Sequence, residues 1–196
     1  MYLFFDTETT GKALNFNAPT SDLNNWPRVT QLGWQLYDKD EKLINERSVL
    51  IKPDGWAVPK EQFFIDNNMS TERCEEFGIP LAEAVSDFMK DLEQSEYLVA
   101  HNMQFDMNVL GAELLRLNVT PTKEATKVCT MKESTNYCKI PSFRGYKWPT
   151  LTELHTKLFG EGFEGAHDAL DDVKACAKSF FELKKNGHIL KQQTNA

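Results

Sequence analysis

Two carboxylates near the amino terminus, Asp6 and Glu8, stand in the segment FFDTETTG at residues 4–11. Residues i and i+2 of a strand project to the same face, so these side chains lie side by side and repel each other unless cations bind them. Carboxylate oxygens are the ligands that Mg²⁺ and Mn²⁺ prefer. The pair predicts a site for hard divalent cations, although a polar strand end that turns at Gly11 would use the same residues.

Two further acids, Asp106 and Asp172, are candidates for the same site. Asp106 follows HNMQF at 101–105 and stands at the start of an apolar-faced helix, where an acid also serves as an ordinary helix cap. In the last predicted helix, projection at 100° per residue places Asp172 at the edge of the apolar stripe and Asp171 on the opposite face, among lysines. An acid at the margin of a buried face is the better ligand, so we select Asp172 over Asp171.

The elements that must position these acids are read from hydrophobic periodicity. Alternating or continuous apolar runs predict strands, and i, i+3, i+4 spacing predicts helices. The pattern predicts strands at 2–6, 28–37, 42–52, 97–100 and 126–129, helices at 81–92, 105–117, 150–158 and 168–185, and long loops at 12–27 and 140–149. Strands followed by alternating helices and strands indicate an α/β fold. We expect one domain over residues 1–185 and a frayed tail over 186–196.

Composition restricts the class of protein. The 196 residues include 22 Lys and Arg against 29 Asp and Glu, and the net charge of −7 argues against a large, sequence-independent basic surface for nucleic acid. Residues 119–160 are an exception, with seven basic and three acidic residues, and are a candidate guide for a nucleic-acid strand.

Four cysteines without a C-x-x-C pair predict neither a zinc cluster nor a disulfide framework. We find no signal peptide and no membrane-spanning run, so we expect a cytoplasmic protein with no membrane partner.

Three segments, taken in order, carry a family resemblance: FDTETTG at 5–11, HN-x-x-FD at 101–106 and H-x-A-x-x-D at 167–172. They resemble the three motifs of the DEDDh branch of the DEDD exonucleases. This DnaQ-like family includes the proofreading epsilon subunit of bacterial DNA polymerase III. VTQLG at 29–33 and the residues from 70 to 81 are similar to the family's second strand and linking helix. The resemblance implies a ribonuclease H-like mixed sheet, with three antiparallel strands followed by parallel strands, flanked by helices.

The same resemblance implies roles for individual residues. Asp6, Glu8, Asp106 and Asp172 would hold two Mg²⁺ or Mn²⁺ ions, and His167 would be the general base. Two such ions activate a water and stabilise the leaving oxygen in phosphodiester hydrolysis. Histidine suits proton acceptance near neutral pH, since its ordinary pKa is about 6.5. The implied activity is 3′-to-5′ exonuclease cleavage that releases nucleoside 5′-monophosphates, with a DNA polymerase as a candidate partner.

Contacts to the substrate are also implied by the family. The expected substrate-binding residues are Thr7, Thr9, Thr10, Asn67, Asn102 and Phe105. Asn67 begins an NNM segment where many relatives have His-Gly-Ile. Trp26, Phe105 and Tyr146 are candidates for stacking on bases. His101 is expected to order the second motif, and the loop at 12–27 to cover the active site or select substrates.

Three alternatives stay open beside a DNA exonuclease. Single-stranded DNA is the expected substrate, but relatives that trim RNA share these motifs and no residue here plainly recognises a 2′ hydroxyl. A non-catalytic module could keep the fold and bind nucleic acid or a polymerase. A purely structural α/β domain is the third possibility. The complete set of four acids together with His167 argues against the non-catalytic module, and the position of Asp6 and Glu8 on an apolar strand argues against a purely structural domain.

Overall fold

The computed structural model describes residues 1–190. Its strands are β1 Tyr2–Thr9, β2 Val29–Tyr37, β3 Leu43–Leu50, β4 Tyr97–Ala100, β5 Thr126–Cys129, β6 Pro141–Ser142 and β7 Gly145–Tyr146. Its helices are α1 Gln62–Asp66, α2 Thr71–Phe77, α3 Leu81–Gln94, α4 Met103–Arg116, α5 Thr130–Glu133, α6 Thr135–Cys138, α7 Leu151–Phe159 and α8 Ala169–Lys185. Across residues 1–190, no helix has the length and apolar character needed to cross a membrane.

Five strands form one mixed sheet in the order β3-β2-β1-β4-β5. The first three strands pair antiparallel, whereas β4 pairs parallel to β1 and β5 pairs parallel to β4. This arrangement confirms the mixed sheet expected from the sequence. Because β1, β4 and β5 run in the same direction, their carboxyl ends meet at one edge of the sheet, where α/β proteins commonly bind ligands.

Side chains of β1 alternate between two hydrophobic cores. Leu3 and Phe5 join the core that contains residues of α3 and α4, whereas Tyr2 and Phe4 join the core that contains residues of α7 and α8. Successive side chains of a strand point to opposite faces, so one short strand contributes to both layers. The central strand is therefore covered by helices on both sides.

Helix α4 is fixed to the start of β2 through the buried carboxylate of Glu113. This carboxylate accepts hydrogen bonds from the Arg28 side chain at 2.9 Å and from the Val29 backbone N–H at 3.0 Å. Arg116 lies 3.3 Å from the second oxygen of the same carboxylate. A buried charge is stable only when it is paired and hydrogen-bonded, and Glu113 meets both conditions. These contacts hold the carboxyl-terminal end of α4 against the sheet.

Helix α8 approaches the sheet at Gly33 of β2. A Cβ atom added to Gly33 would lie 2.6 Å from the carbonyl carbon of Ala169 and 2.8 Å from the backbone nitrogen of Leu170. The neighbouring Gln31 side chain donates to Asp168 at 2.9 Å and accepts from the Ala169 N–H at 3.3 Å. The absence of a side chain at Gly33 and the amide of Gln31 together set where α8 begins.

Several local expectations from the sequence are wrong or incomplete. The loop at 140–149 contains the small hairpin of β6 and β7, and α1, α5 and α6 were not predicted. Trp26 is buried, and its indole N–H donates to the Pro19 carbonyl at 3.1 Å, so it packs within its own loop and has no ring face free to stack on a base. In the expected tail, Ile189 is buried in the core with Phe180, whereas residues 191–196 lie outside the described residues.

Replacing Gly33 by alanine should destabilise the protein by roughly 1–3 kcal/mol, because the added methyl group meets the backbone of α8 rather than a side chain that can rotate away. Urea denaturation of the variant measures this loss. Gly162→Ala is the matched control, since its Cβ would lie 3.5 Å from Thr152 in ordinary contact, and it should change stability by less than about 1 kcal/mol. Equal denaturation midpoints for Gly33→Ala and wild type would contradict this account of α8 docking.

Candidate active site

Asp6 and Glu8 occupy the last part of β1, inside the strand rather than beyond its end. They continue the alternation of Tyr2 and Phe4, so both carboxylates face the layer that contains α8. Thr7, between them, points to the opposite layer, which contains α4. The strand therefore presents two acids to one helix and one hydroxyl to the other.

Asp106 reaches the site from the first turn of α4 and is only 3% exposed. Its Oδ1 accepts two hydrogen bonds from Thr7, at 2.8 Å from the hydroxyl and 3.2 Å from the backbone N–H. Asn102 stands at the N-cap position in a left-handed conformation and makes no capping hydrogen bond with its side chain. The Asp106 carboxylate thus accepts hydrogen bonds from β1. Its position is explained by these bonds, without the helix-capping role that the sequence also allowed.

Asp172 and His167 come from the amino end of α8 and the turn before it. The Asp168 side chain caps the helix by accepting from the Leu170 and Asp171 N–H groups, which orients the first turn. One carboxylate oxygen of Asp172 accepts a hydrogen bond from the His167 backbone N–H at 3.2 Å. His167 adopts a left-handed backbone conformation with φ of 75°. The turn thereby folds back so that this histidine lies beside its own helix.

The four acids disturb one another electrostatically. Burial, followed by the neighbouring charges of Asp106, Asp172 and Glu8, raises the pKa of Asp6 well above its usual value. Burial is also the largest cause of the raised pKa values of Glu8 and Asp106, about 8 and about 7 respectively. The hydrogen bonds from Thr7 oppose the shift at Asp106. Burial raises the pKa of Asp172 to about 6, against the opposing effect of the His167 N–H.

This donor set fits a divalent cation. Ligand atoms of Glu8, His167 and Asp172 all lie within 4.8 Å of one another. Asp6 shares a cavity wall with His167 and Asp172, and burial together with the charges of neighbouring acids raises the pKa of both Asp6 and Glu8. Bound cations would relieve this repulsion and favour the ionised carboxylates.

Two cavities flank these carboxylates and share His167. The first, of about 340 Å³, is lined by Asp6, His101, Thr150, Leu151, Thr152, Phe163, Ala166, His167 and Asp172. The second, which we call the terminal groove, has a volume of about 750 Å³ and is lined by the residues from Thr7 to Lys12 together with Glu61, Phe63, Phe64, Phe105 and His167. The acids therefore stand between two spaces that could hold parts of one extended ligand.

The structure brings together only part of the expected substrate-binding set. Thr7, Thr9, Thr10 and Phe105 line the terminal groove, whereas Asn67 and Asn102 are not among its lining residues. The amide of Asn67 instead donates to the Phe63 carbonyl at the end of α1, at 2.7 Å. The loop at 12–27 contributes Lys12 to the groove directly, and its Phe16 ring packs 6.0 Å from the ring of Phe105.

Two residues with supporting positions, Phe63 and Gln31, were missed by sequence reasoning, and Thr7, which was expected to contact substrate, also has a supporting position. Phe63 packs edge-on against the His167 ring with a centroid distance of 5.1 Å, and Gln31 and Thr7 orient the elements that carry the acids. Gln31 is a polar residue inside an apolar strand, and this pattern could have identified it from the sequence as a residue with a supporting position. Phe63 gave no such signal, because only the folded chain brings it to His167.

His101 lies behind the acids and bridges two segments. Its Nδ1 is 2.9 Å from the Thr130 hydroxyl and its Nε2 is 3.0 Å from the Pro149 carbonyl. Burial lowers the pKa of this histidine to about 4, which favours the neutral ring. A neutral ring with both nitrogens engaged suits the ordering role expected from the sequence better than proton transfer.

The fold is a ribonuclease H-like mixed sheet, and four acids and a histidine at its carboxyl edge suit metal-assisted phosphodiester hydrolysis. The family model RNase_T, described as "Exonuclease", matches residues 3–180. The chain therefore belongs to this exonuclease family and is an enzyme of the DnaQ-like, 3′-to-5′ type.

Individual relatives agree with this assignment. The chain is 29% identical over 192 residues to the DNA polymerase III subunit epsilon of Treponema pallidum (strain Nichols), covering 95% of this chain and 80% of that protein. E. coli exonuclease I in complex with a dT13 oligonucleotide has a similar fold, with a TM-score of 0.74 and 19% identity. That match covers 95% of this chain but 41% of the other. A zinc-bound complex of the same enzyme with single-stranded DNA gives a TM-score of 0.71 at 19% identity, covering 94% of this chain and 40% of the other.

The two neighbouring acids of α8 give the sharpest test of the site. Asp172→Ala should reduce turnover by more than about a hundredfold, because it removes a carboxylate from the donor set. Asp171→Ala should stay within about threefold of wild type, since that side chain is paired with Lys174 at 3.4 Å on the outer face. His167→Ala should lose about 10²–10⁴-fold if it serves as a general base. Single-turnover hydrolysis measures all three, after circular dichroism has verified folding.

An inactive Asp171→Ala enzyme beside an active Asp172→Ala enzyme would contradict the assignment of the donor set. Both variants lose one negative charge from the same helical turn, so a general charge effect would reduce their activities alike. Only a specific role for the Asp172 oxygens predicts unequal losses.

Proposed function

We propose that the chain hydrolyses single-stranded DNA from its 3′ end and releases nucleoside 5′-monophosphates. Asp6, Glu8, Asp106 and Asp172 would hold two divalent cations, Mg²⁺ or Mn²⁺. The observation that carries this proposal is that ligand atoms of Glu8, Asp172 and His167 lie within 4.8 Å of one another beside the terminal groove, while Asp106 of α4 is hydrogen-bonded to Thr7, the neighbour of Glu8. When bound, the cations would activate an attacking water and stabilise the leaving oxygen.

The residues of the chain have separate tasks in this reaction. The water oxygen attacks the phosphorus atom, and the bond between phosphorus and the 3′ oxygen of the preceding nucleotide breaks. His167 accepts the proton of the attacking water and passes it to solvent, to which its side chain is exposed. Solvent protonates the departing 3′ oxygen, so the strand leaves with a free 3′ hydroxyl. Phe63 holds the His167 ring in place through their edge-on contact.

The terminal groove supports specificity for a strand end. Its volume of about 750 Å³ lies within the range of sites for a single small ligand. Phe63 and Phe105 offer aromatic surface there, and unpaired bases stack on such rings. Because the acids lie at one side of this groove, a nucleotide seated in it would present its 5′ phosphate to them.

DNA is proposed over RNA because of the similar proteins. The relatives that resemble this chain are a DNA polymerase III subunit and an exonuclease solved with deoxyoligonucleotides. A DNA polymerase as partner rests on the first of these similarities. RNA remains the alternative substrate that the experiment must test.

Activity should require Mg²⁺ or Mn²⁺ and be abolished by EDTA, since the donor set consists mainly of oxygens. The measurement follows 5′-labelled single-stranded DNA and RNA of the same sequence on denaturing gels. We expect the DNA to shorten by one nucleotide at a time from the 3′ end, faster than the RNA. A circular single strand is the matched control and should persist.

Equal cleavage of the circular strand would contradict end specificity. Faster shortening of the RNA would contradict the proposed substrate, and full activity in EDTA would contradict the role of the cations. Asp172→Ala provides the background rate, so that a contaminating nuclease is recognised by activity that this variant retains.

A further inference from the structure

A short hairpin projects from the chain between α6 and α7. In this hairpin β6 pairs with β7 through Pro141 with Tyr146 and Ser142 with Gly145. The Lys147 N–H donates to the Ile140 carbonyl at 3.0 Å and closes its base. We call residues 140–148 the aromatic hairpin.

The aromatic hairpin carries three rings that the hydrophobic core does not use. Phe143 at its tip is 101% exposed, Trp148 is 57% exposed and Tyr146 is 48% exposed. Single exposed apolar residues are common on protein surfaces, but three aromatic rings within six residues form a patch of the kind that marks an interaction site.

The positive charge around these rings favours the binding of a polyanion. Residues 139–152 include Lys139, Arg144 and Lys147 and no acidic residue, in a chain whose net charge is −7. The ammonium of Lys147 is held by Glu153 at 2.6 Å, whereas Arg144 stands beside Phe143 at the exposed tip. Alternating cations and aromatic rings are typical of surfaces that bind single-stranded nucleic acid, because bases stack while phosphates are neutralised.

The aromatic hairpin is connected to the active site by rigid contacts. The Pro149 carbonyl, next to Trp148, accepts a hydrogen bond from His101 Nε2 at 3.0 Å. Thr150 then forms a capping box with Glu153 at the start of α7. Thr150, Leu151 and Thr152 line the smaller cavity together with Asp6 and Asp172. The hairpin therefore ends at the wall of the smaller cavity, which lies across the acids from the terminal groove.

We propose that the aromatic hairpin binds single-stranded DNA upstream of the bond to be cleaved. This inference rests on the proposed function, in which the last nucleotide occupies the terminal groove. The preceding nucleotides would then leave through the smaller cavity, past Thr150, and reach the hairpin. There Phe143 and Trp148 stack on bases, and Arg144 contacts a phosphate.

The test compares a long and a short substrate in the double variant Phe143→Ser/Arg144→Ser. For a thymidine oligonucleotide of about 15 nucleotides, KM should rise about five- to hundredfold, the range expected from the loss of one stacked base and one phosphate contact. The salt dependence of KM should also decrease, while kcat stays within about twofold. For the dinucleotide, which cannot extend from the groove to the hairpin, KM should not rise.

The matched control is Arg73→Ser/Phe77→Ser on α2. This pair is also exposed, with its guanidinium 5.7 Å from the ring centroid, and lines neither cavity. It removes the same side chains and the same charge, so an effect of net charge or solubility would appear equally in both double variants. Only a local role of the aromatic hairpin predicts a KM increase confined to the first.

The outcomes separate this inference from the proposed function. If wild type shortens neither substrate, the proposed function fails, and the inference fails with it. If wild type is active and the hairpin variant keeps its KM and salt dependence on the long strand, the inference alone is overturned. The inference would also be overturned if the hairpin variant had an altered sedimentation coefficient but an unchanged KM. In that case the hairpin would be a contact between protein chains rather than a DNA-binding surface.

Discussion

The crowding of four acids, Asp106 buried and the other three half-buried, is the constraint on which the rest of this structure depends. Burial raises the pKa of every one of them, and the charges of their neighbours add to the shift at Asp6 and Glu8. Separate elements must therefore be held together against an unfavourable interaction. The fold supplies this support through contacts that lie away from the acids themselves. Glu113 fixes α4 to β2, and Gly33 and Gln31 fix the start of α8.

The alternation of a single strand explains why two helices from opposite layers can serve one site. Asp6 and Glu8 face α8, so Asp172 and His167 approach them from that layer. Asp106 belongs to the other layer and reaches the same edge through Thr7, whose side chain points toward α4. An acid pair shifted by one residue along β1 would face the wrong helix. The i, i+2 spacing is thus a requirement of the layered fold as well as of the cations.

Much of this arrangement was predictable because the signals are local. Apolar periodicity gave the five main strands and helices α3, α4, α7 and α8, and helix projection separated Asp172 from Asp171. Contacts between distant residues gave no such signal. Phe63 meets His167 only in the folded chain, and Trp26 looked like an exposed loop aromatic although its loop packs around it. The short hairpin at 140–148 escaped prediction because two-residue strands have no periodicity.

The central claim is that these acids are held together for cations, and thermal unfolding as a function of pH tests it most directly. The pKa values of Asp172, Asp106 and Glu8 are raised to about 6, about 7 and about 8 in the folded state, whereas an ordinary carboxyl group has a pKa of about 4. At pH values between these limits, the folded state therefore binds more protons than the unfolded state. In EDTA the Tm should therefore fall as pH rises from about 5 to about 8.5. Added Mn²⁺ should raise the Tm most at high pH, because the acids are then ionised and can bind the cation. Glu8→Gln/Asp172→Asn, which keeps the shapes of the side chains, should show a shallower slope in EDTA and a smaller Mn²⁺ effect. Identical pH slopes for the variant and wild type, or a Mn²⁺ effect that is the same at every pH, would contradict the account.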